Sequence, residues 1–353
     1  MSLDLEKLRK KIDEIDAKMV GLLNERAKIS QEIGKNKLKN KSAIYSPQRE
    51  REILNRIALL NKGPMSLEAF EAIYREIMSS SLALEKPLRI AYLGTEGSFT
   101  HGAANKKFGS QVQYGSSESI LEVFQKVERG ECDYGVVPIE NSVEGAVTHT
   151  FDLFVDSELK ICAQIMLKVE HHLLSKSNLK DIKYVYSNPQ VFGQCRNWLA
   201  QNLSHAGQIW VASTTEAAQK VAKQAYSAAI ASSLAAKVYE LPIIQSNIQD
   251  LSNNTTRFLV IATHDVAPTG NDRTSVLFSI KDRMGALHAM LTPFYEHKIN
   301  LTKIESRPSR KKMWDYYFFV DLQGHREDKH VKAALDQLEG MCKYLKILGS
   351  YPA

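Results

Sequence analysis

The sequence is poor in cysteine. Its 353 residues hold four, Cys132, Cys162, Cys195 and Cys342, far apart and without a CxxC pair. That spacing excludes a disulfide framework and fits free thiols in a reducing cytoplasm. No His, Cys, Asp or Glu cluster has zinc or iron spacing; the nearest approach is His171-His172, in an apolar stretch, and two histidines do not complete a site. No apolar run is long enough to span a bilayer, and the N-terminus, charged from Asp4, lacks the apolar core of a secretory signal. A cytoplasmic protein with no membrane partner is therefore expected. Basic residues are spread along the chain, for a net charge of +6, and form no RNA-binding module, so nucleic acid is not an expected partner. The glycine-rich dinucleotide fingerprint is missing too. The turn Gly94-Thr95-Glu96-Gly97-Ser98-Phe99 is not GxGxxG, and no acidic residue follows at the required distance. Neither a metal nor an organic cofactor is expected.

What is present is an ordinary globular composition, 44% hydrophobic and 24% charged, in a length that suits two or three domains. Residues from about 3 to 40 read as one helix, with Leu5, Leu8, Ile12, Ile15, Met19, Leu22, Ile29 and Ile33 at steps of three or four. Arg26 fills the one missing step, Lys37 continues the stripe, and Arg9 flanks it. Cations on an apolar seam are costly unless matched. Two readings stand: they reach the helix edges or acidic partners, or they hold an anionic ligand. Ser46 and Pro47 open a second helix with Arg49 and Glu50 near its first turn, and it stops at Lys62-Gly63-Pro64. Ser66 opens a third, whose apolar face ends in the polar Ser81 and Glu85. A first helix of about 50 Å outruns the two shorter ones, so a second copy of the chain is expected to cover its stripe in an interlocked homodimer.

After Lys86-Pro87 the period changes. Strand candidates at 88–93, 112–114, 134–139, 160–169, 183–186, 209–212, 227–231 and 257–263 alternate with helix candidates at 100–108, 117–129, 189–201 and 215–224. The pattern predicts an α/β region with a largely parallel sheet in two lobes. Three peptides put small polar groups at strand ends: Gly94–Phe99, Gly135–Gly145 and Asn254-Thr255-Thr256-Arg257-Phe258. Residues 268–273 read as a linker. Strand 274–280, helix 285–297, strands 300–307 and 314–322, helix 328–341 and strand 344–350 then give the βαββαβ order of a ferredoxin-like α+β domain.

The residues of the first segment, Leu8-Arg9 through Glu25-Arg26, Gly34–Lys37, Pro47 and Arg49-Glu50, resemble the all-helical chorismate mutases. That resemblance implies that Arg9, Arg26, Lys37 and Arg49 hold the carboxylates and ether oxygen of chorismate, with Arg9 reaching from the partner chain. Glu50 would accept from the substrate hydroxyl, Lys37 would meet the ether oxygen, and Ser81 and Glu85 would close the site, with Ser46 among the binding residues. The best-known relatives carry glutamine where Glu85 stands. A glutamate donates only when protonated, so mutase activity is expected to fall as pH rises.

The middle segment resembles the prephenate dehydratases, which implies a fold similar to periplasmic binding proteins with prephenate between the lobes. Thr256 would then be the residue tied to catalysis, with Arg257, Phe258, Asn141, Ser142 and Ser98 in the binding site. Whether Thr256 donates, relays or orients stays open. In the last segment, Gly285-Ala286-Leu287-His288 and Glu305-Ser306-Arg307-Pro308 resemble the phenylalanine-binding peptides of ACT domains. The whole resembles the bifunctional chorismate mutase/prephenate dehydratases, the P-proteins. Expected domains are 1–86, 87–266 and 272–353, with chorismate, prephenate and phenylalanine as ligands in a homodimer or larger homo-oligomer. Two rivals remain: preference for arogenate, and a catalytically silent amino-acid sensor.

Overall fold

The computed structural model of the chain describes residues 2–40, 42–280, 283–308 and 316–353. Two compact units result: 1–89 with 108–113, and 90–107 with 114–353.

In the first unit, α1 (Ser2–Lys39), α2 (Pro47–Leu60) and α3 (Leu67–Glu85) form where the apolar stripes predict them. The Ser46 hydroxyl accepts the Arg49 N–H at 3.3 Å, and the Ser66 hydroxyl accepts that of Ala69 at 3.2 Å. At Gly34 helices α1 and α3 come so close that a Cβ there would lie 2.8 Å from the Cα and Cβ of Glu85. Over much of the length of α1 the stripe meets no partner among the described residues: Leu8, Ile12, Ile15, Met19 and Leu22 are each more than half exposed.

From residue 89 the chain runs β1 (Arg89–Leu93), α4 (Phe99–Phe108), β2 (Gln113–Ser117), α5 (Ile120–Glu128), β3 (Tyr134–Asn141), β4 (Gly145–Ala146), α6 (Thr148–Asp156), β5 (Lys160–Lys168), β6 (His172–Leu174), β7 (Tyr184–Ser187), α7 (Pro189–Gln194), α8 (Arg196–Asn202), β8 (Gly207–Trp210), α9 (Thr214–Val221), β9 (Ser227–Ala231), α10 (Ser233–Val238), β10 (Ile243–Gln245) and β11 (Thr255–Ala262). The C-terminal part continues with β12 (Asp272–Ser279), α11 (Ala286–Glu296), β13 (Leu301–Pro308), β14 (Tyr316–Gln323), α12 (Lys329–Met341) and β15 (Tyr344–Pro352). Three sheets follow, with strand orders β2-β1-β3-β11-β5 (β4 pairing off β3), β10-β6-β9-β7-β8, and β13-β14-β12-β15. The first two are the cores of two α/β lobes, and the third is the ferredoxin-like sheet.

The lobe sheets are mixed rather than largely parallel. Strand β11 returns from the second lobe and pairs antiparallel with both β3 and β5, while β6 runs antiparallel to β9 and β10. Strand β1 runs parallel to β3, and β7 runs parallel to both of its neighbours. The helix expected over 189–201 breaks at Cys195 into α7 and α8, and the strand expected at 209–212 starts earlier, at Gly207. Asp272 and Arg273, expected in a linker, open β12. The beginning of the strand expected from Trp314 lies outside the described residues.

One core ties the first lobe to the ferredoxin-like sheet. Phe124, Phe151, Phe154 and Leu259 of the lobe pack with Leu277, Phe319, Leu348 and Tyr351. Where β15 passes β5, Gly349 leaves no room for a side chain: a Cβ there would meet the Ile161 carbonyl oxygen at 2.2 Å.

Gly34→Ala is expected to force α1 from α3 at a cost of about 1–3 kcal/mol, seen as earlier melting of the helical unit by calorimetry. A variant that melts like the parent contradicts this packing. The second unit has its own pH signature. Burial holds the imidazoles of His101, His171, His172 and His264 below the usual histidine range. The unfolded chain takes up protons near about pH 6.5 that the folded unit refuses, so stability is full above that pH and drains as pH falls. Its melting midpoint should drop between about pH 7.5 and 5.5, and a flat profile would refute this.

Candidate active sites

In the helical unit, α1 and α3 bring four of the expected residues together. The Arg26 guanidinium donates to the Ser81 hydroxyl, which in turn donates to the Ile77 carbonyl at 2.8 Å. The Lys37 ammonium donates to Glu85 Oε2 at 2.9 Å and to the Ile44 carbonyl at 2.7 Å. An ammonium has three N–H donors, so one is left for a ligand. The Glu85 side chain is 8% exposed and faces Lys37 as an acceptor. Glu50 accepts from the Tyr45 hydroxyl at 2.7 Å, and Tyr45 follows Ile44, so the start of α2 is held near the end of α1. Arg49 pairs with the exposed Glu52 at 2.9 Å, and Ser46 is engaged as the cap of α2. Arg9 lies 17 residues before Arg26 on the same helix, about 25 Å away at 1.5 Å per residue. It cannot share a site with Arg26 of the same chain.

Between the two lobes of the second unit lies a cleft of about 920 Å³ at the ends of the central strands. Ser98, Asn141, Thr256 and Phe258 line it; Ser142 and Arg257 do not. The Thr256 side chain sits beside Asn141 because the two residues are register partners across β11 and β3. The Asn141 Oδ1 accepts two backbone N–H groups, from Val143 at 2.9 Å and Glu144 at 3.0 Å. Its amide nitrogen must then donate, and it does so to Asn254 Oδ1 at 2.7 Å and to Thr256 Oγ1 at 2.8 Å. With its oxygen accepting from Asn141, the Thr256 hydroxyl keeps its own proton for donation.

Arg257 corrects the expectation of a substrate ligand. Alternation along β11 turns it to the opposite face, where it pairs with Asp321 of β14 at 2.6 Å and donates to the Tyr351 hydroxyl at 2.9 Å. Ser142 also serves the scaffold: its hydroxyl accepts the Thr255 N–H at 2.9 Å and donates to the Asn253 carbonyl at 3.3 Å. Ser98 accepts the His101 N–H at 3.2 Å at the start of α4.

Among the described residues, those lining the cleft include no lysine or arginine. Its polarity comes from Glu118, Glu122, Glu144 and His171, from hydroxyls such as Ser117 and Thr215, and from the first turns of α4 and α9. Helix N-termini of this kind attract anions through free N–H groups and the aligned dipole. Both lobes contribute. Thr95 and Thr215 share a hydrogen bond of 2.7 Å, and Glu144 accepts from Gln194 at 2.9 Å and Gln190 at 3.2 Å. The Gln194 oxygen faces His171 Nε2 at 2.7 Å. Sequence reasoning had no access to Glu144, His171 and Gln194 as neighbours, because they come from three separated segments with no characteristic spacing.

In the ferredoxin-like part, Gly285 takes a left-handed φ of 73° just before α11, a conformation that favours glycine. Ala286 is buried, whereas Leu287 and His288 are exposed. The peptide 305–308 ends β13, whose residues alternate strictly between half-buried and exposed. Its Arg307 turns inward and donates to Asp152 of α6 at 3.3 Å.

Comparison with known proteins agrees with this division. Residues 8–86 match the family model for chorismate mutase type II, 90–266 that for prephenate dehydratase and 274–340 that for the ACT domain. The bifunctional chorismate mutase/prephenate dehydratase of Aquifex aeolicus is 48% identical, over 99% of this chain and 98% of its own length. The solved prephenate dehydratase of Arthrobacter aurescens, in complex with L-Phe, is 31% identical with a TM-score of 0.70, over 75% of this chain and 90% of its own. A structure named GqqA, a novel type of quorum quenching acylase, has the same TM-score at 27% identity, covering 75% and 98%. Among the described residues no helix is long and apolar enough to cross a membrane. With its helical mutase, two-lobed dehydratase and ACT domain in that order, the chain belongs to the family of bifunctional chorismate mutase/prephenate dehydratases.

Proposed function

We propose that this chain rearranges chorismate to prephenate in its domain 1–86, converts prephenate to phenylpyruvate in 87–266, and senses phenylalanine through 272–353, in the cytoplasm and without a cofactor. The observation that carries the dehydratase half is the Asn141–Thr256 hydrogen bond, which leaves the threonine proton to donate. As prephenate loses carbon dioxide, the electron pair of the breaking C–C bond moves through the ring and expels the hydroxyl as hydroxide. Thr256 meets the negative charge that grows on that oxygen, and a fixed donor in a sheltered cleft is effective there. Asn141 holds Thr256 in place, Phe258 and Ser98 shape the site, and the first turns of α4 and α9 take the carboxylates.

The mutase half needs only a fixed conformer and stabilised charge. The third N–H of Lys37 is assigned to the ether oxygen, with Glu85 and Ile44 orienting the other two. Arg26 and Arg49 hold carboxylates, Glu50 takes the substrate hydroxyl, and Ser81 and Ser46 support them. Arg9 comes from a second copy of the chain, a reading supported by its distance from Arg26 and by the uncovered stripe on α1. A homodimer then shares each mutase site. Sensing of phenylalanine is assigned to residues 285–288 and 305–308, supported by the L-Phe complex of the related dehydratase.

Purified chain given chorismate should produce prephenate and then phenylpyruvate, with the second step slowed by phenylalanine. Thr256→Val is expected to lower the dehydratase rate by at least about 100-fold and leave the mutase rate unchanged. Faster turnover of arogenate than of prephenate would favour the first rival, and silence toward both substrates with phenylalanine still bound would favour the second. For the shared site, Arg9→Ala and Arg26→Ala are each expected to be nearly inactive as mutases. Subunit exchange between them should restore about a quarter of the parental rate, because half the dimers then hold one intact site. No recovery on mixing would rule out a site built from two chains.

A further inference from the structure

The face of β3 and β11 turned away from the cleft carries a closed set of four charges. Next to the Asn141–Thr256 pair in the register stands the pair Glu140–Arg257. Successive strand residues point to opposite faces, so this second pair faces the ferredoxin-like sheet. There the register partners Lys303 of β13 and Asp321 of β14 meet it. Arg257 pairs with Asp321 at 2.6 Å and Lys303 with Glu140 at 2.8 Å. Each charge thus has an opposite charge across its own strand pair and another on the facing sheet, and the quartet sums to zero.

The set is well enclosed. The side chains of Arg257 and Asp321 are 7% and 10% exposed, and that of Lys303 is 12% exposed. Asp321 also accepts from the Ser275 hydroxyl at 2.5 Å, and Arg257 reaches Gln164 at 3.0 Å. A small apolar-walled cavity of about 20 Å³, room for one water, lies among Arg257, Lys303, Asp321 and Phe151. In such surroundings an ion that loses its partner is strongly disfavoured, so the strands have little freedom to twist or slide.

We propose that Asp321 and Lys303 of the ACT domain are positioning residues for the dehydratase. From behind the sheet they fix Arg257 and Glu140, and through them the adjacent Thr256 and Asn141. The proposal rests on the assignment of the cleft as the dehydratase site. Neither residue touches the substrate, so their loss acts on the aim of Thr256 toward the leaving hydroxyl and not on the grip on the carboxylates. The signature is a fall in kcat with little change in KM.

Lys303→Met is the gentler probe. Lys303 lies over the Phe151 ring, where a methionine stem still packs, and the Glu140 side chain it leaves is 38% exposed and can turn to water. In the full-length chain this change should lower the dehydratase kcat about fivefold, with KM within about twofold of the parent. The mutase rate on chorismate is expected to stay the same, and Lys303→Arg to recover the dehydratase. In an Asn141→Ala background, where the residue that Lys303 acts through is gone, Lys303→Met should cost less than about twofold. Asp321→Asn is expected to repeat the kcat loss more strongly. A parental kcat in Lys303→Met, or the full loss persisting beside Asn141→Ala, overturns the positioning role while leaving the dehydratase assignment intact. A parent chain that leaves prephenate unconsumed takes both down.

Discussion

The antiparallel pairing of β11 with β3 is the constraint on which the second unit turns. It brings a strand from the far end of the lobed region back beside Asn141 and sets Thr256 opposite it. Because side chains alternate at a period of two, the same register that aims Thr256 at the cleft aims Arg257 at the next sheet. A slip of one residue would exchange the two, burying a threonine among ions and exposing an arginine to a cleft lined without fixed cations. The mixed topology of the first lobe is therefore the route by which one strand serves two faces.

Much of this was legible in the sequence. The helices of the first unit were readable because their stripes recur every three or four residues and because Ser46 and Ser66 stand where caps are needed. The order of the last domain was readable from alternating periods and turn residues. Strand direction was not, since a run such as Phe258–Ala262, buried on both faces, has no polar side to record which neighbour it meets or which way it runs. For the same reason Arg257 read as a companion of Thr256: adjacent letters in a motif stand on opposite faces of a sheet. Asn141 and Thr256 were each visible through the resemblance, but their hydrogen bond depends on a pairing across more than a hundred residues. The bridge from Glu144 through Gln194 to His171 left no local trace at all.

Under the proposed assignments, the two halves handle anionic ligands by different physics. On the helices, Arg26 and Lys37 offer full charges, already tethered by Ser81, Ile44 and Glu85 so that little rearrangement is needed. Between the lobes the proposed contacts of the anion are backbone N–H groups and hydroxyls, whose dipoles are set by the fold and do not titrate. Full charges suit a step in which an ether bond breaks and negative charge appears at one oxygen. Distributed dipoles suit a step that ends with carbon dioxide, hydroxide and a less charged product, because they do not hold a departing anion as a cation would.

The uncovered stripe of α1 has a consequence for how the chain behaves on dilution. Much of the apolar face of this helix finds no cover among the described residues. The lobes and the ACT domain, by contrast, bury their apolar side chains among themselves, one core being shared between them. Under the shared-site reading, completion of the mutase depends on the concentration of folded chains, so dilution would leave a protein that consumes prephenate without making it.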